Sequence, residues 1–297
     1  MKYIIQMNGS LKKFCLGTAN FGQVYGLSKK RLSEQEISKI IKFSSENGIF
    51  NLDTAINYGD SENILGNIGI KNWKVITKIP NPPIQKINES SWAIENVLKS
   101  IKRLNVNQLE GVLFHSSETL KNQNAYKIFD ALLDLKSKGV IKKLGVSVYN
   151  PSEIKYILER FELDIVQLPL NVFDRRILHS EVLSILLEKR IEIHARSIFL
   201  QGCLLKKLDK LPSYFNKWSD IFNKWEEWLK ENSISPLNVC LKFVAENKNI
   251  SKFILGIDNI SQFLQVIKIL SDDKPIPIPP IFSNDINLVN PSKWMLS

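Results

Sequence analysis

A carboxylate, a phenol, an ammonium and an imidazole each stand at the end of an apolar run, or just past one, in the first half of the chain. Asp53 closes Gly48-Ile49-Phe50-Asn51-Leu52, and Tyr58 lies on the loop just beyond it. Lys78 closes Trp73-Lys74-Val75-Ile76-Thr77, and His115 follows Leu109-Glu110-Gly111-Val112-Leu113-Phe114. An apolar run that ends in a polar group and a turn reads as a buried strand emptying into a loop. Together the four suit proton donation to a carbonyl oxygen. A free tyrosine, with a pKa of about 10, donates poorly at neutral pH. A neighbouring Lys78 ammonium would stabilise the phenolate and strengthen the donor. Asp53 would keep Lys78 charged and in place, and His115 could hydrogen-bond and orient the substrate oxygen. Such a site polarises a C=O group but supplies no electrons, so a hydride donor is implied.

Each residue also has a plainer use. Asp53 alone could cap a loop or helix, Tyr58 could be a core aromatic with a wet hydroxyl, and His115 could be a satisfied core histidine. Lys78 is harder to set aside, because lysine rarely ends an apolar strand without a partner. Its rival chemistry is a Schiff base, which would make the chain a lysine-dependent lyase or pyridoxal enzyme. The remaining histidines are His179, which reads as a surface residue, and His194, which lies inside a strand and reads as structural. No His-rich metal site is on offer, and no metal is expected.

What must position these groups is a strand–helix unit repeated along the chain. Strand 14–17 ends in the small-residue loop Thr18-Ala19-Asn20-Phe21-Gly22, and a helix opens at Ser33 with capping-box spacing to Glu36 and apolar Ile37, Ile40 and Ile41. Strand 49–53 leads to a helix at 61–68, with Ser61 as its expected N-cap and Glu62 in its first turn. The series continues with strand 73–78 and helix 89–104, strand 109–114 and helix 122–138, and strand 140–147 and helix 151–160. Strand 164–168 precedes helix 177–189, strand 191–197 precedes helices within 218–246, and strand 252–257 precedes helix 259–270. Eight such units match a (β/α)₈ TIM barrel. A doubly wound sheet would usually use fewer strands and show a Gly-rich turn, and no GxGxxG occurs. No linker-like stretch interrupts the chain, so residues 1–297 read as one domain. Residues 1–12 read as an N-terminal β-hairpin turning at Asn8-Gly9, and Lys274-Pro275-Ile276-Pro277-Ile278-Pro279-Pro280 starts an extended C-terminal tail. In a barrel, all the strand ends face one mouth. That mouth would then also hold Ser147, Gln167 and Arg196-Ser197.

Bulk composition narrows the class. The chain has 297 residues, 44% apolar and 24% charged, which is ordinary for a soluble globular protein. No apolar run is long enough for a membrane span, the opening residues are too short for a signal peptide, and Cys15, Cys203 and Cys240 fit no metal or disulfide pattern. A reduced, cytoplasmic protein is expected. The net charge of +10 comes from basic residues that, apart from Lys29-Lys30-Arg31, do not cluster beyond short pairs, so it reads as solvated surface rather than a nucleic-acid footprint. The insert 199–235 is rich in aromatics. Trp218, Phe222, Trp225 and Leu229 recur at helical spacing and read as a buried helix face. The loop 199–216 before them reads as a wall for a ligand.

Taken together, Leu16-Gly17-Thr18, Asp53-Thr54-Ala55-Ile56-Asn57-Tyr58-Gly59, Ile76-Thr77-Lys78, Leu113-Phe114-His115, Leu144-Gly145-Val146-Ser147, Val166-Gln167-Leu168-Pro169-Leu170-Asn171 and Leu255-Gly256-Ile257-Asp258-Asn259 resemble the aldo/keto reductase superfamily over nearly the whole chain, as a bacterial member. The resemblance implies a barrel that binds NADP(H) or NAD(H) without a Rossmann fold and reduces a small-molecule carbonyl, an aldehyde, ketone or sugar. It places the catalytic tetrad on Asp53, Tyr58, Lys78 and His115, with Tyr58 as general acid. It also implies that Ser147 and Gln167 hold the nicotinamide carboxamide and that Arg196 stands where the family often stacks an aromatic ring. Ser197, Phe199 and Gln201 would follow the cofactor's pyrophosphate, Gly256 to Gln262 would meet its adenosine end, and Thr18 would also contact the cofactor. Two departures stand out. Val148 follows Ser147 where the family usually has Asn. Gly256 and Gln262 stand where NADP-dependent members often carry Lys and Arg, with Asp258 between them, and a carboxylate there favours a free ribose hydroxyl. A cofactor-binding barrel with a regulatory role and little turnover is the alternative that the resemblance leaves open.

Overall fold

Strand β1 (Phe14–Gly17) is hydrogen-bonded in parallel to β2 (Asn51–Asp53) on one side and to β8 (Lys252–Gly256) on the other. That second pairing closes the sheet. Between them the order is sequential through β3 (Lys74–Ile79), β4 (Gly111–Phe114), β5 (Leu144–Ser147), β6 (Ile165–Pro169) and β7 (Glu192–Arg196). The chain is thus a closed eight-stranded parallel barrel wrapped by helices, the (β/α)₈ architecture expected from the repeat. The structure is a computed structural model and describes residues 8–24, 26, 31–84 and 87–296.

Helices α1 (Gly9–Lys13), α2 (Ala19–Gly22) and α3 (Glu34–Glu46) flank β1. Helix α4 (Ser61–Ile68) follows β2, α5 (Glu89–Leu104) follows β3, and α6 (Glu118–Lys121) with α7 (Ala125–Ser137) follows β4. Then come α8 (Ser152–Leu158) after β5, α9 (Glu181–Glu188) after β6, α10 (Ser219–Glu231) and α11 (Pro236–Ala245) after β7, and α12 (Ile260–Ser271) after β8. A last short helix, α13 (Ile286–Val289), lies in the tail. The local signals behave as chemistry dictates. Ser33 and Glu36 form the reciprocal capping box of α3, and Ile37, Ile40 and Ile41 are its buried face.

Two local expectations fail. The Asn8-Gly9 pair does not turn a hairpin: Asn8 caps α1, its side chain accepting from the Leu11 amide, and Leu11 is buried. Asparagine serves a turn and a helix cap equally well, and the apolar Leu11 decides for the helix. The other half of that hairpin, 3–6, lies outside the described residues. Ser61 is not the N-cap of α4, which is Asp60. The buried Ser61 hydroxyl donates instead to Thr18 Oγ1 at 3.0 Å, tying the β2 loop to the end of β1.

Outward-facing strand residues pack with the helices in one large apolar cluster, while Ile76, Leu113 and Ile165 form a small separate cluster inside the barrel. On β3 the interior positions read Lys74, Ile76 and Lys78, so this thin apolar layer has polar groups on both sides of it. The aromatic insert after β7 buries Phe215, Phe222 and Trp225. The C-terminal tail lies against that insert: Trp218 Nε1 donates to Asp285 at 2.9 Å, Tyr214 Oη donates to the Asn287 carbonyl at 2.9 Å, and Trp294 meets Phe215 edge-on.

Candidate active site

The carboxyl ends of the strands open into a cleft of about 340 Å³. Of the thirteen site residues read from the sequence, ten line it: Thr18, Asp53, Tyr58, Gln167, Arg196, Ser197, Phe199, Gln201, Gly256 and Gln262. Lys78 lies directly behind Asp53 and Tyr58, and His115 stands beside Tyr58. Ser147 is at the end of β5, in register with Gln167, and is 5% exposed without being part of the cleft wall.

The innermost group is Lys78, 1% exposed. Its Nζ donates to Asp53 Oδ1 at 2.5 Å, to the Thr54 carbonyl at 2.8 Å and, at longer range, to Tyr58 Oη at 3.4 Å. An ammonium has three protons to donate, and here each has an acceptor. Burial opposes the lysine's charge, but Asp53 and the Tyr58 oxygen outweigh it, and the Lys78 pKa is raised. A lysine held as ammonium has no free electron pair, so this geometry does not suit imine formation. Asp53 Oδ2 accepts from Gln167 Nε2 at 2.7 Å. A carboxylate only accepts, so the Gln167 amide nitrogen must face Asp53, and its carbonyl oxygen is what it can offer the cleft. The His115 ring lies 5.7 Å from the Tyr58 ring at 80°. Burial first, and then the Lys78 charge, push the His115 pKa down to about 4. The imidazole is therefore neutral at pH 7, and its buried Nδ1 has no partner among the described residues.

Backbone contact fixes the loop that carries Tyr58. A Cβ on Gly22 would meet the Tyr58 carbonyl at 1.9 Å, and one on Gly59, at φ +57, would meet the Gly22 carbonyl at 2.4 Å. Only glycine permits that approach.

Around the cleft from Tyr58, the segment after β7 is strained. Ser197, Leu200 and Gln201 have φ of 58, 48 and 57. Non-glycine residues in that region cost about 1–3 kcal/mol each and cluster at functional sites. Arg196 stacks its guanidinium on the Tyr149 ring at 4.1 Å and donates to the Val148 carbonyl at 2.9 Å, while its buried Nε has no partner among the described residues. Lys206 adds an ammonium to the wall. At the α12 end, Asn20 Nδ2 holds Asp258 Oδ1 at 2.8 Å, Gln262 Oε1 accepts from the Asp258 amide at 2.7 Å, and Asn259 caps the helix.

Asn20, Gly22, Tyr149 and Lys206 were not among the site residues read from the sequence. Asn20 and Gly22 had a faint signal in the small-residue loop after β1. Tyr149 and Lys206 had none, because their place depends on how loops fold over the mouth. Among the described residues, no group of three or more His, Cys, Asp or Glu could hold a metal, and no helix is long and apolar enough to cross a membrane.

The model of the Aldo/keto reductase family matches residues 13–276. D-arabinose 1-dehydrogenase of Saccharomyces cerevisiae is 28% identical over 159 residues, which are 50% of this chain and 47% of that protein. YqkF, an uncharacterized oxidoreductase of Bacillus subtilis, is 26% identical over 183 residues, 59% of this chain and 58% of that one. The chain thus spans about half the length of the curated relatives it matches. Among solved structures, the holo form of the aldo-keto reductase AKR11C1 from Bacillus halodurans superposes with a TM-score of 0.71 at 20% identity, covering 89% of this chain and 88% of that one. At that identity the likeness concerns the fold.

Proposed function

The chain belongs to the aldo/keto reductase family, and from that premise we propose that it is a nicotinamide-dependent oxidoreductase that reduces a small carbonyl compound to an alcohol. One observation carries the reading: a phenol at the cleft wall is backed by a buried lysine that Asp53 holds charged. The cleft's own donors suit a dinucleotide. Lys206, the strained backbone at 197–202 and the N-terminus of α12 favour an anionic diphosphate. The Gln167 carbonyl oxygen suits a carboxamide N–H. Thr18, Ser147, Arg196, Ser197, Phe199, Gln201, Gly256 and Gln262 complete the holding set.

Bound there, the reduced nicotinamide would supply a hydride to the carbonyl carbon. Tyr58 Oη gives its proton to the substrate oxygen, and Lys78 stabilises the phenolate that remains until solvent restores the proton. Asp53, anchored by Gln167, keeps Lys78 in position. Neutral His115 orients the carbonyl by hydrogen bonding rather than by charge. Asp258 favours a ribose with a free 2′-hydroxyl, so NADH is the expected preference over NADPH. The sugar substrate in the name of the yeast relative, and exposed Asn57 beside Tyr58, make sugar carbonyls the first substrate class to try.

The test is a fluorescence titration with NADH and NADPH, then turnover on aldehydes and sugar carbonyls including D-arabinose, beside Tyr58→Phe. Cofactor binding retained with turnover abolished in Tyr58→Phe supports the reading. Tight binding without turnover on any carbonyl would favour a regulatory barrel, and no binding of either cofactor would refute both.

A further inference from the structure

At the amino ends of the strands, beyond the Ile76/Leu113/Ile165 layer, lies a second cavity of about 270 Å³. Lys74, Glu110, Lys143, Glu192, His194 and Lys252 line it. The charges do not cancel. Lys143 lies between Glu110 at 3.0 Å and Glu192 at 2.7 Å, and Glu110 also takes Lys142 at 3.3 Å. Both carboxylates are therefore already neutralised. Lys74 and Lys252 have no carboxylate within 4 Å among the described residues; Lys252 Nζ donates only to the Lys12 carbonyl at 2.8 Å. Residues 1–7 contain no Asp or Glu that could supply one. Burial, with the charges of Lys74 and Lys143, lowers the Lys252 pKa and outweighs the opposing pull of Cys15 and Glu192.

His194 adds an independent sign. It is 1% exposed, Nε2 meets Glu192 Oε2 at 3.1 Å, and its buried Nδ1 has no partner among the described residues. A buried polar atom left unpaired costs free energy unless something absent from the chain completes it.

We propose that this floor cavity binds a small oxyanion of the phosphate class, free or carried on a small molecule, through the ammonium groups of Lys74 and Lys252, with His194 Nδ1 accepting from a hydroxyl of the ligand. With Nε2–H directed at Glu192, the ring's other nitrogen keeps its lone pair and is an acceptor, which suits a hydroxyl of the ligand such as the P–OH of a hydrogen phosphate. Two ammonium groups supply the charge. The site stands apart from the upper cleft and does not depend on the function proposed there.

The probe is inorganic phosphate, with chloride at equal ionic strength as control and glycerol 3-phosphate as the carried form. Binding is read by calorimetry and by the thermal midpoint of the full-length protein. Phosphate should raise the midpoint above the chloride control. Lys252→Met and Lys74→Met should each bind phosphate about tenfold or more weakly, the size of one charge-assisted hydrogen bond. Lys74 is exposed at a strand start, so its variant should fold and keep the wild-type turnover even if Lys252→Met does not fold. Lys206→Met, at the upper cleft, should bind phosphate as wild type does. Glycerol 3-phosphate binding that is lost in Lys74→Met would support the carried form. No phosphate effect beyond chloride would overturn the proposal. So would an effect lost in Lys206→Met and kept in Lys74→Met.

Discussion

Replacing Lys78 by Met should separate its structural role from its chemical one. The Lys78–Asp53 pair is almost wholly buried, with side-chain exposures of 1% and 3%. Removing one partner of such a pair leaves an uncompensated buried charge and costs about 3–5 kcal/mol. Asp53 would keep the Gln167 hydrogen bond at 2.7 Å, which places the expected cost near the lower end, about 3 kcal/mol. In a chain of 297 residues that is a fall of roughly 6 °C in Tm, at about 2 °C per kcal/mol. Asp53→Asn with Lys78→Met removes both charges and should recover most of the loss, because two neutral groups of similar shape need no counter-ion. Urea denaturation of wild type, both single variants and the double gives the cycle, provided the m-values agree. The Lys78 pKa is raised on folding, so its contribution is complete below the unfolded value of about 10.4 and is lost only as pH rises through the higher folded value. The cost of Lys78→Met should therefore be flat between about pH 6 and pH 9. A single variant costing under about 1 kcal/mol, or a double variant no more stable than Lys78→Met, would refute a pair in which each charge requires the other. Carbonyl turnover should vanish in every member that lacks Lys78, while cofactor binding, on the function proposed above, persists.

Other perturbations test other parts of the cleft. On the cofactor placement proposed above, Asp258→Ser should improve NADPH binding relative to NADH by about tenfold or more, since it would remove a carboxylate from beside the extra phosphate; an unchanged ratio in paired titrations would place the ribose elsewhere. With the His115 pKa at about 4, kcat/KM should show no His115-dependent break near pH 6.5. A break there that disappears in His115→Asn would mean the ring is charged in the working range. Gly22→Ala should destabilise the protein and displace the Tyr58 loop, because its Cβ would lie 1.9 Å from the Tyr58 carbonyl. Native-like melting with full turnover in Gly22→Ala would show that the loop can move aside.

The barrel and most of its mouth were legible in the sequence for one physical reason. Parallel strands buried on both faces must be apolar, so Asp53, Lys78 and His115 stand out against their runs, and in a barrel all those ends meet. The strand–helix alternation was equally plain, because helix faces such as Ile37, Ile40 and Ile41 recur at 3.6 residues and strands do not. What stayed hidden was set by contacts between distant segments. Glu62 reads as an ordinary acid in a first helical turn. In the structure it is 2% exposed and takes hydrogen bonds from Thr77, Ser100 and Arg103, binding α4 to β3 and α5 next to Lys78. No local pattern marks such a residue, because its partners lie 15 to 41 positions away. The same holds for Asn20, whose amide reaches across 238 positions to Asp258.

Gln167 shows how far residue type alone can carry an argument, and where it stops. Its place near the end of a strand made it a candidate for the mouth, and the structure gives it two contacts there. It lines the cleft and it holds the second oxygen of Asp53. Because a carboxylate cannot donate, that single bond settles which end of the amide faces outward. The residue that would read the cofactor is thus oriented by the same acid that holds Lys78. A change at Gln167 should therefore disturb cofactor binding and proton transfer together, whereas a change at Ser197 or Phe199 should disturb binding alone.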